Sequence, residues 1–185
     1  DGRRKKIKGI RTVKNENTAK FLSGFAAIVG RPNVGKSTLM NAMVGEKVAI
    51  VSNRPQTTRN RIMGVATDKG WQIVFLDTPG LHKPRTRLGE YMVKSVRDAM
   101  DGIDVLLVLV DANEIGPQDR AIVEEMSARK VKKILVLNKT DIGEEARLMA
   151  AIQSFAEAGY DAIVPISART GKGVDELKKL IVSYL

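Results

Sequence analysis

The sequence contains no cysteine and a single histidine, His82. Disulfide scaffolds, thiol nucleophiles, Cys-based zinc sites and His-rich metal sites are therefore excluded. No apolar run approaches the ~20 residues that a membrane-spanning helix needs. The longest, Val105 to Val110, is the size of a strand. Asp1 opens the chain without a Met or a secretory apolar segment, as expected of a processed or excised piece. What is present is 43% hydrophobic, enough to bury a full core and to exclude a mostly disordered chain. At 185 residues, the expectation is one soluble intracellular domain with, at most, an arm.

The arm is where the charge lies. The net charge is +10, and residues 1–24 contribute +6 of it through Arg3, Arg4, Lys5, Lys6, Lys8, Arg11, Lys14 and Lys20 against Asp1 and Glu16. Such a segment is either a solvated terminus or a contact for a polyanion, an RNA or an acidic lipid surface. No aromatic stands between those charges, so base stacking by the arm is not supported.

Beyond Gly24 the texture changes to that of a folded domain, residues 25–185. Apolar runs at Phe25–Val29, Val105–Val110, Lys133–Leu137 and Ala162–Ile166 read as buried strands. Arg61–Thr67 and Trp71–Leu76 read as two strands joined by the hairpin signal Asp68-Lys69-Gly70. Between them fall helical stretches at Lys36–Val44, Leu88–Met100, Gln118–Arg129, Glu144–Ala158 and Val174–Tyr184, the third with Pro117 at its start. Alternation of this kind specifies a doubly wound α/β sheet of six mostly parallel strands, with one antiparallel strand at an edge and helices on both faces. Ligands of such sheets sit at the carboxyl ends of the strands, so the informative residues lie just after the apolar runs.

The first run ends in Gly30-Arg31-Pro32-Asn33-Val34-Gly35-Lys36-Ser37, followed by Thr38. This is G-x-x-x-x-G-K-[ST] between a strand and a helix, the context that motif requires. Its glycines let backbone N–H groups close around phosphates. Lys36 sets a positive charge against the β- and γ-phosphates, and the Ser37 hydroxyl can ligate Mg²⁺. Asp77-Thr78-Pro79-Gly80 follows the strand ending at Leu76. There Asp77 can hold Mg²⁺, and the Gly80 N–H can meet a γ-phosphate.

A second constellation points to the base. In Asn138-Lys139-Thr140-Asp141 the Asp141 carboxylate can accept from N1 and N2 of guanine. Adenine lacks that amine and would leave a buried carboxylate unpaired, a loss that discriminates by factors of about 10⁴ or more. Asn138 can bind the N7/O6 edge or brace the phosphate loop, and the Lys139 stem can cover a face of the base. In Ser167-Ala168-Arg169 the Ala168 N–H is available to guanine O6. The nucleotide expected is GTP or GDP with Mg²⁺, and ATP is the alternative.

These motifs, in this order, resemble the translation-factor-related class of P-loop GTPases. Gly30 to Asn41, Gln56-Thr-Thr-Arg-Asn-Arg61, Asp77 to His82 and Asn138 to Asp141 are most similar to the Era family, over roughly Ser23 to Leu185. The sister tRNA-modification and Der GTPases tend to read Thr-Thr-Arg-Asp where this chain has Thr57-Thr58-Arg59-Asn60. The resemblance implies the P-loop GTPase fold and GTP hydrolysis. It also implies binding near the 3′ end of 16S rRNA in assembly of the 30S subunit, a monomer, and a cytoplasmic location, peripheral on the inner membrane face if the arm meets lipid. Members of that family carry a C-terminal KH domain, and the chain is expected to lack it. In the first switch, Thr57 or Thr58, with Thr58 favoured beside Arg59, would ligate Mg²⁺. The alternatives are a sister GTPase domain and a nucleotide-gated binding module with negligible hydrolysis.

Small GTPases that activate water with a glutamine carry it after the Gly of Asp-x-x-Gly. Here that position is Leu81, which can neither orient nor deprotonate water. Charge stabilisation is then expected from elsewhere. Arg54 and Arg59 lie in the first switch. Asn33 offers another route, helping to bind K⁺ beside the phosphates with carbonyls of residues 52–57. Otherwise it serves the loop alone through side-chain-to-backbone bonds.

Overall fold

The apolar runs become the strands of one six-stranded sheet, ordered β2-β3-β1-β4-β5-β6. The computed structural model describes residues 20–45, 61–77 and 102–185. The strands are β1 (Leu22–Val29), β2 (Arg61–Asp68), β3 (Trp71–Asp77), β4 (Val105–Asp111), β5 (Lys132–Asn138) and β6 (Ala162–Pro165). Among the described residues the helices are α1 (Lys36–Val44), α2 (Pro117–Ser127), α3 (Glu145–Phe155) and α4 (Val174–Ser183). Residues 1–19 of the arm, the helix expected at Leu88–Met100 and the first-switch residues Arg54, Thr57, Thr58 and Arg59 lie outside the described residues, as do Gly80 and Leu81.

All neighbouring strands pair in parallel except β2 with β3, and β2 lies at one edge of the sheet, with β6 at the other. The antiparallel pair is the hairpin read from Asp68-Lys69-Gly70, with the Lys69 N–H donating to Asp68 Oδ1 at 2.7 Å. The carboxyl ends of β1, β3, β4, β5 and β6 therefore open on one edge of the sheet.

Strand side chains alternate between faces, and both faces are covered. Ala26, Ile28, Leu107 and Leu109 pack with Leu39 and Met43 of α1 and Leu177 and Ile181 of α4. Ala27, Val29, Leu106 and Val108 pack with Val123 and Met126 of α2 and Ala151 and Phe155 of α3. Every residue of β4 is buried. A fully buried leucine contributes about 1.5–3 kcal/mol over an exposed one, so β4 anchors the edge that carries the site.

Boundaries moved where tertiary contacts decide them. β1 begins at Leu22, inside the stretch assigned to the arm, because it pairs in register with β3 from Leu22 opposite Trp71. α2 stops at Ser127 rather than Arg129, and the Arg129 carbonyl instead accepts from the buried Lys133 Nζ at 2.8 Å. α3 ends at Phe155, which is buried, and the chain tightens through Ala156 N to Gln153 O and Ala158 N to Phe155 O before Gly159.

Candidate functional site: a nucleotide cleft at the sheet edge

β1 delivers Gly30 to this edge, and α1 starts six residues later. The loop between them crosses the backbone of β4 so closely that a Cβ at Gly30 would sit 2.5 Å from the Leu109 carbonyl oxygen. Two residues turn it through left-handed backbone, Asn33 at φ 65° and Gly35 at φ 102°. Asn tolerates that region through its short polar side chain, and Gly carries no Cβ to oppose it. Gly35 is the N-cap of α1, and the first turn holds Lys36, Ser37 and Thr38 with no acidic side chain. The positive end of the helix dipole thus faces the loop uncompensated by an acidic residue of its own first turn. The Lys36 ammonium donates to the carbonyls of Gly30 and Arg31, each at 2.7 Å, and so lies along the inner rim of the loop. Pro32, Asn33, Ser37 and Thr38 are exposed, while Val34 is buried under the loop. Asp77, the last residue of β3, is in register with Ile28 and so reaches the same edge beside the loop.

The base-side loops converge on Asn138. This residue is buried, its Nδ2 donates to Val34 O at 2.9 Å, and its Oδ1 accepts from the Ala168 N–H at 2.9 Å. Of the two roles open to Asn138 in the sequence, the structure shows it bracing the phosphate loop. It also turns the Ala168 N–H, which the sequence offers to a base oxygen, onto that brace. Asp141 Oδ1 accepts from the Ser167 hydroxyl at 2.8 Å, and Oδ2 accepts from Arg169 Nε at 3.0 Å and pairs with Nη2 at 2.8 Å. The Ser167 hydroxyl first, with help from Arg169, holds the Asp141 carboxyl below its ordinary value and keeps it an acceptor. Gly35, Thr38, Asn138, Lys139, Asp141, Ile142 and Arg169 line one cavity of about 250 Å³. The phosphate loop and the base loops thus form one continuous cleft.

Four residues of this neighbourhood escaped the sequence reading. Asp111, at the tip of β4, pairs with Lys139 Nζ at 2.8 Å. Burial pushes its carboxyl up, but the Lys139 and Asn113 hydrogen bonds outweigh that and hold it below the ordinary value. Asn113 donates from Nδ2 to Lys139 O at 3.0 Å, and Lys139 itself adopts φ 66°. Asp119 accepts from Arg31 Nε at 2.9 Å. Burial works against the Arg31 charge, and Asp119 overcomes it, raising the guanidinium above its usual value. The side chain of Arg31, a motif residue, is thereby directed to the start of α2. Ile142, 65% exposed, lines the cavity beside Asp141. Asp111 did leave a signal, since it directly follows an apolar run, the position where this fold places its functional groups.

A Gly-Lys-Ser loop at a helix N-terminus, joined to an Asp-bearing base cavity on a sheet of this order, defines the P-loop GTPase fold. Residues 25–139 match the family described as 50S ribosome-binding GTPase, and the chain belongs to that family. It is 53% identical over 168 residues to GTPase Era of Clostridioides difficile (strain 630), covering 89% of this chain and 57% of that protein. A variant of Aquifex aeolicus Era bound to GDP·AlF4⁻ superposes with a TM-score of 0.73 at 40% identity, over 89% of this chain and 57% of that one. An Era in complex with MgGDPNP and nucleotides 1506–1542 of 16S ribosomal RNA gives the same TM-score of 0.73, identity of 40% and coverage of 89% and 57%. The chain thus spans a little over half the length of these relatives. Among the described residues no helix is long and apolar enough to cross a membrane.

Proposed function

We propose that this domain binds GTP and GDP with Mg²⁺, hydrolyses GTP to GDP and phosphate, and uses the bound nucleotide to control attachment to ribosomal RNA. The observation that carries this reading is the single cleft in which Asn138 ties the Gly30–Ser37 loop to the loops bearing Asp141 and Ser167. Asp141, whose carboxylate the Ser167 hydroxyl holds below its ordinary value, accepts from N1 and N2 of guanine, and the Lys139 stem covers the ring. Lys36 leaves the loop carbonyls for the β- and γ-phosphates, and the loop N–H groups with those of the first turn of α1 surround them.

The donor set suits Mg²⁺. The Ser37 hydroxyl is exposed at the mouth of the loop and Asp77 ends the neighbouring strand, both oxygen ligands of the kind a hard cation takes. Ser37, Asp77 and Thr58 would hold the ion, which when bound neutralises charge on the β- and γ-phosphates. The Gly80 N–H would meet the γ-phosphate. Asn33, exposed in the loop at φ 65°, would supply an amide oxygen to a K⁺ ion standing in for an arginine. A single-turnover assay on the chain tests the enzyme reading. GDP formation above the buffer blank is expected, and formation equal to the blank would leave a nucleotide-gated binding module.

The similar Era held with 16S ribosomal RNA supports ribosomal RNA as the partner, and a role in 30S assembly follows from the family resemblance alone. The basic arm supplies a polyanion contact for that RNA or for an acidic membrane surface. We place the protein in the cytoplasm and take it as a monomer on the same family resemblance.

A further inference from the structure

Three ion pairs whose acidic partners lie outside every nucleotide motif spring from one short stretch of chain: Asp111 with Lys139, Asp119 with Arg31 and, more loosely at 3.5 Å, Glu114 with Arg31. β4 ends at Asp111 and α2 begins at Pro117, so residues 111–119 span the connector and the first turn of the helix. At one end Asp111 is buried, with Oδ2 2.8 Å from Lys139 Nζ and Oδ1 accepting from the Asn113 backbone N–H at 2.9 Å. At the other end Asp119 is 1% exposed. Its Oδ2 accepts from the Gly116 N–H at 2.9 Å, closing the start of α2, and its Oδ1 accepts from Arg31 Nε at 2.9 Å. Arg31 Nη2 also donates to the Glu114 carbonyl at 2.6 Å. A buried carboxylate cannot release its guanidinium without leaving an uncompensated charge, so Arg31 is held fast. The Arg31 carbonyl in turn accepts from Lys36 Nζ at 2.7 Å.

None of residues 111–119 lines the base cavity. Yet Lys139 at the base and Arg31 at the phosphates are both gripped from this stretch, whose ends are set by the central strand and by α2. We infer that residues 111–119 are a two-armed brace, in which Asp119 positions the phosphate loop through Arg31 and Asp111 positions the base loop through Lys139. Asp111 and Asp119 are positioning residues, since each acts through a basic partner. The inference rests on the reading of the cleft as a guanine-nucleotide site.

Calorimetric titration of the chain with GDP and with IDP, in Mg²⁺, tests it. Inosine lacks the 2-amino group, so the GDP-to-IDP affinity ratio reports the base loop, and the absolute affinities report the phosphate loop as well. Asp119→Asn is expected to weaken GDP and IDP alike, by about tenfold or more, with the ratio kept. Asp111→Asn is expected to lower the ratio. A merely structural loss would move both variants in the same way. Arg31→Gln reaches the same pair from its more exposed side with the α2 cap intact, so the test survives if Asp119→Asn does not fold. The double variant R31Q/D119N should bind GDP no more weakly than the weaker single variant, because one interaction is lost once. Wild-type binding with Asp119→Asn and Arg31→Gln unaffected overturns the brace alone, as does a matching ratio change in both aspartate variants. A wild-type chain that binds neither nucleotide overturns the site reading and the brace with it.

Discussion

The Asn138 amide lies against the bare Cα of Gly35. A Cβ on Gly35 would collide with Asn138 Nδ2, the atom that reaches past it to donate to Val34 O at 2.9 Å. The glycine that caps α1 is thus also the opening through which the base loops grip the phosphate loop.

Replacing either partner should open the cleft. Gly35→Ala forces a side chain into left-handed backbone, about 1–2 kcal/mol, and displaces Asn138 besides. Asn138→Ala leaves the Val34 carbonyl and the Ala168 N–H unpaired, about 1–3 kcal/mol each while they stay buried. Thermal unfolding should show both variants destabilised. Titration should show GDP binding weakened by about tenfold or more, in keeping with a binding geometry held by this bond.

Base choice rests on the Asp141 carboxylate. Asp141→Asn should weaken GTP and shift preference toward xanthosine triphosphate, because xanthine carries O2 where guanine has an amine, and an amide donor then fits. Competition between the two triphosphates measures this. An unchanged GTP/XTP ratio would mean that Asp141 does not read the base.

Acid stability should depend on Asp111. Its folded carboxyl lies below the ordinary value of 3.8, so the ionised carboxylate stabilises the fold above that pH. That contribution falls away as pH drops below 3.8 and through the lower folded value. Asp111→Asn should therefore be less stable than wild type near neutrality, by about 1–2 kcal/mol. The two unfolding curves should converge in acid below the ordinary carboxylate range. A constant offset from neutral to strongly acid pH would count against the Lys139 pair as the source.

Hydrolysis should respond to the monovalent cation. With Leu81 unable to orient water, single-turnover rates are expected to be higher in KCl than in NaCl at equal ionic strength, and the difference should vanish in Asn33→Ala. The larger radius of K⁺ suits a shell of carbonyl and phosphate oxygens. Equal rates with GTP binding intact would transfer the role to Arg54 or Arg59.

The arm should act through phosphates. Against the 16S rRNA segment 1506–1542, deleting residues 1–19 is expected to weaken binding and flatten its salt dependence. Each lost phosphate contact removes about 0.7 from the log–log slope for single strands. Identical slopes with and without the arm would make it a solvated terminus.

The six strands, the four described helices, their alternation and the antiparallel edge were legible in the residues alone, because short apolar runs, Gly turns and helix starts are local signals. The order β2-β3-β1-β4-β5-β6 brings the ends of five of those runs to one edge, which is why motifs far apart in the chain could be assigned to one site. What the sequence left open was partnership. Whether Asn138 meets a base or a backbone is decided by Val34, 104 residues earlier. Arg31 reads as one more residue of a phosphate loop until the fold sets Asp119 beside it, 88 residues on. Asp111 closes an apolar run like any strand-ending carboxylate until β5, in register from Val105 opposite Lys132 to Asp111 opposite Asn138, brings Lys139 to it. Local propensity and spacing carry no information on such pairs. Burial does, because a carboxylate removed from water must find a partner, and only the packed sheet determines which one is within reach.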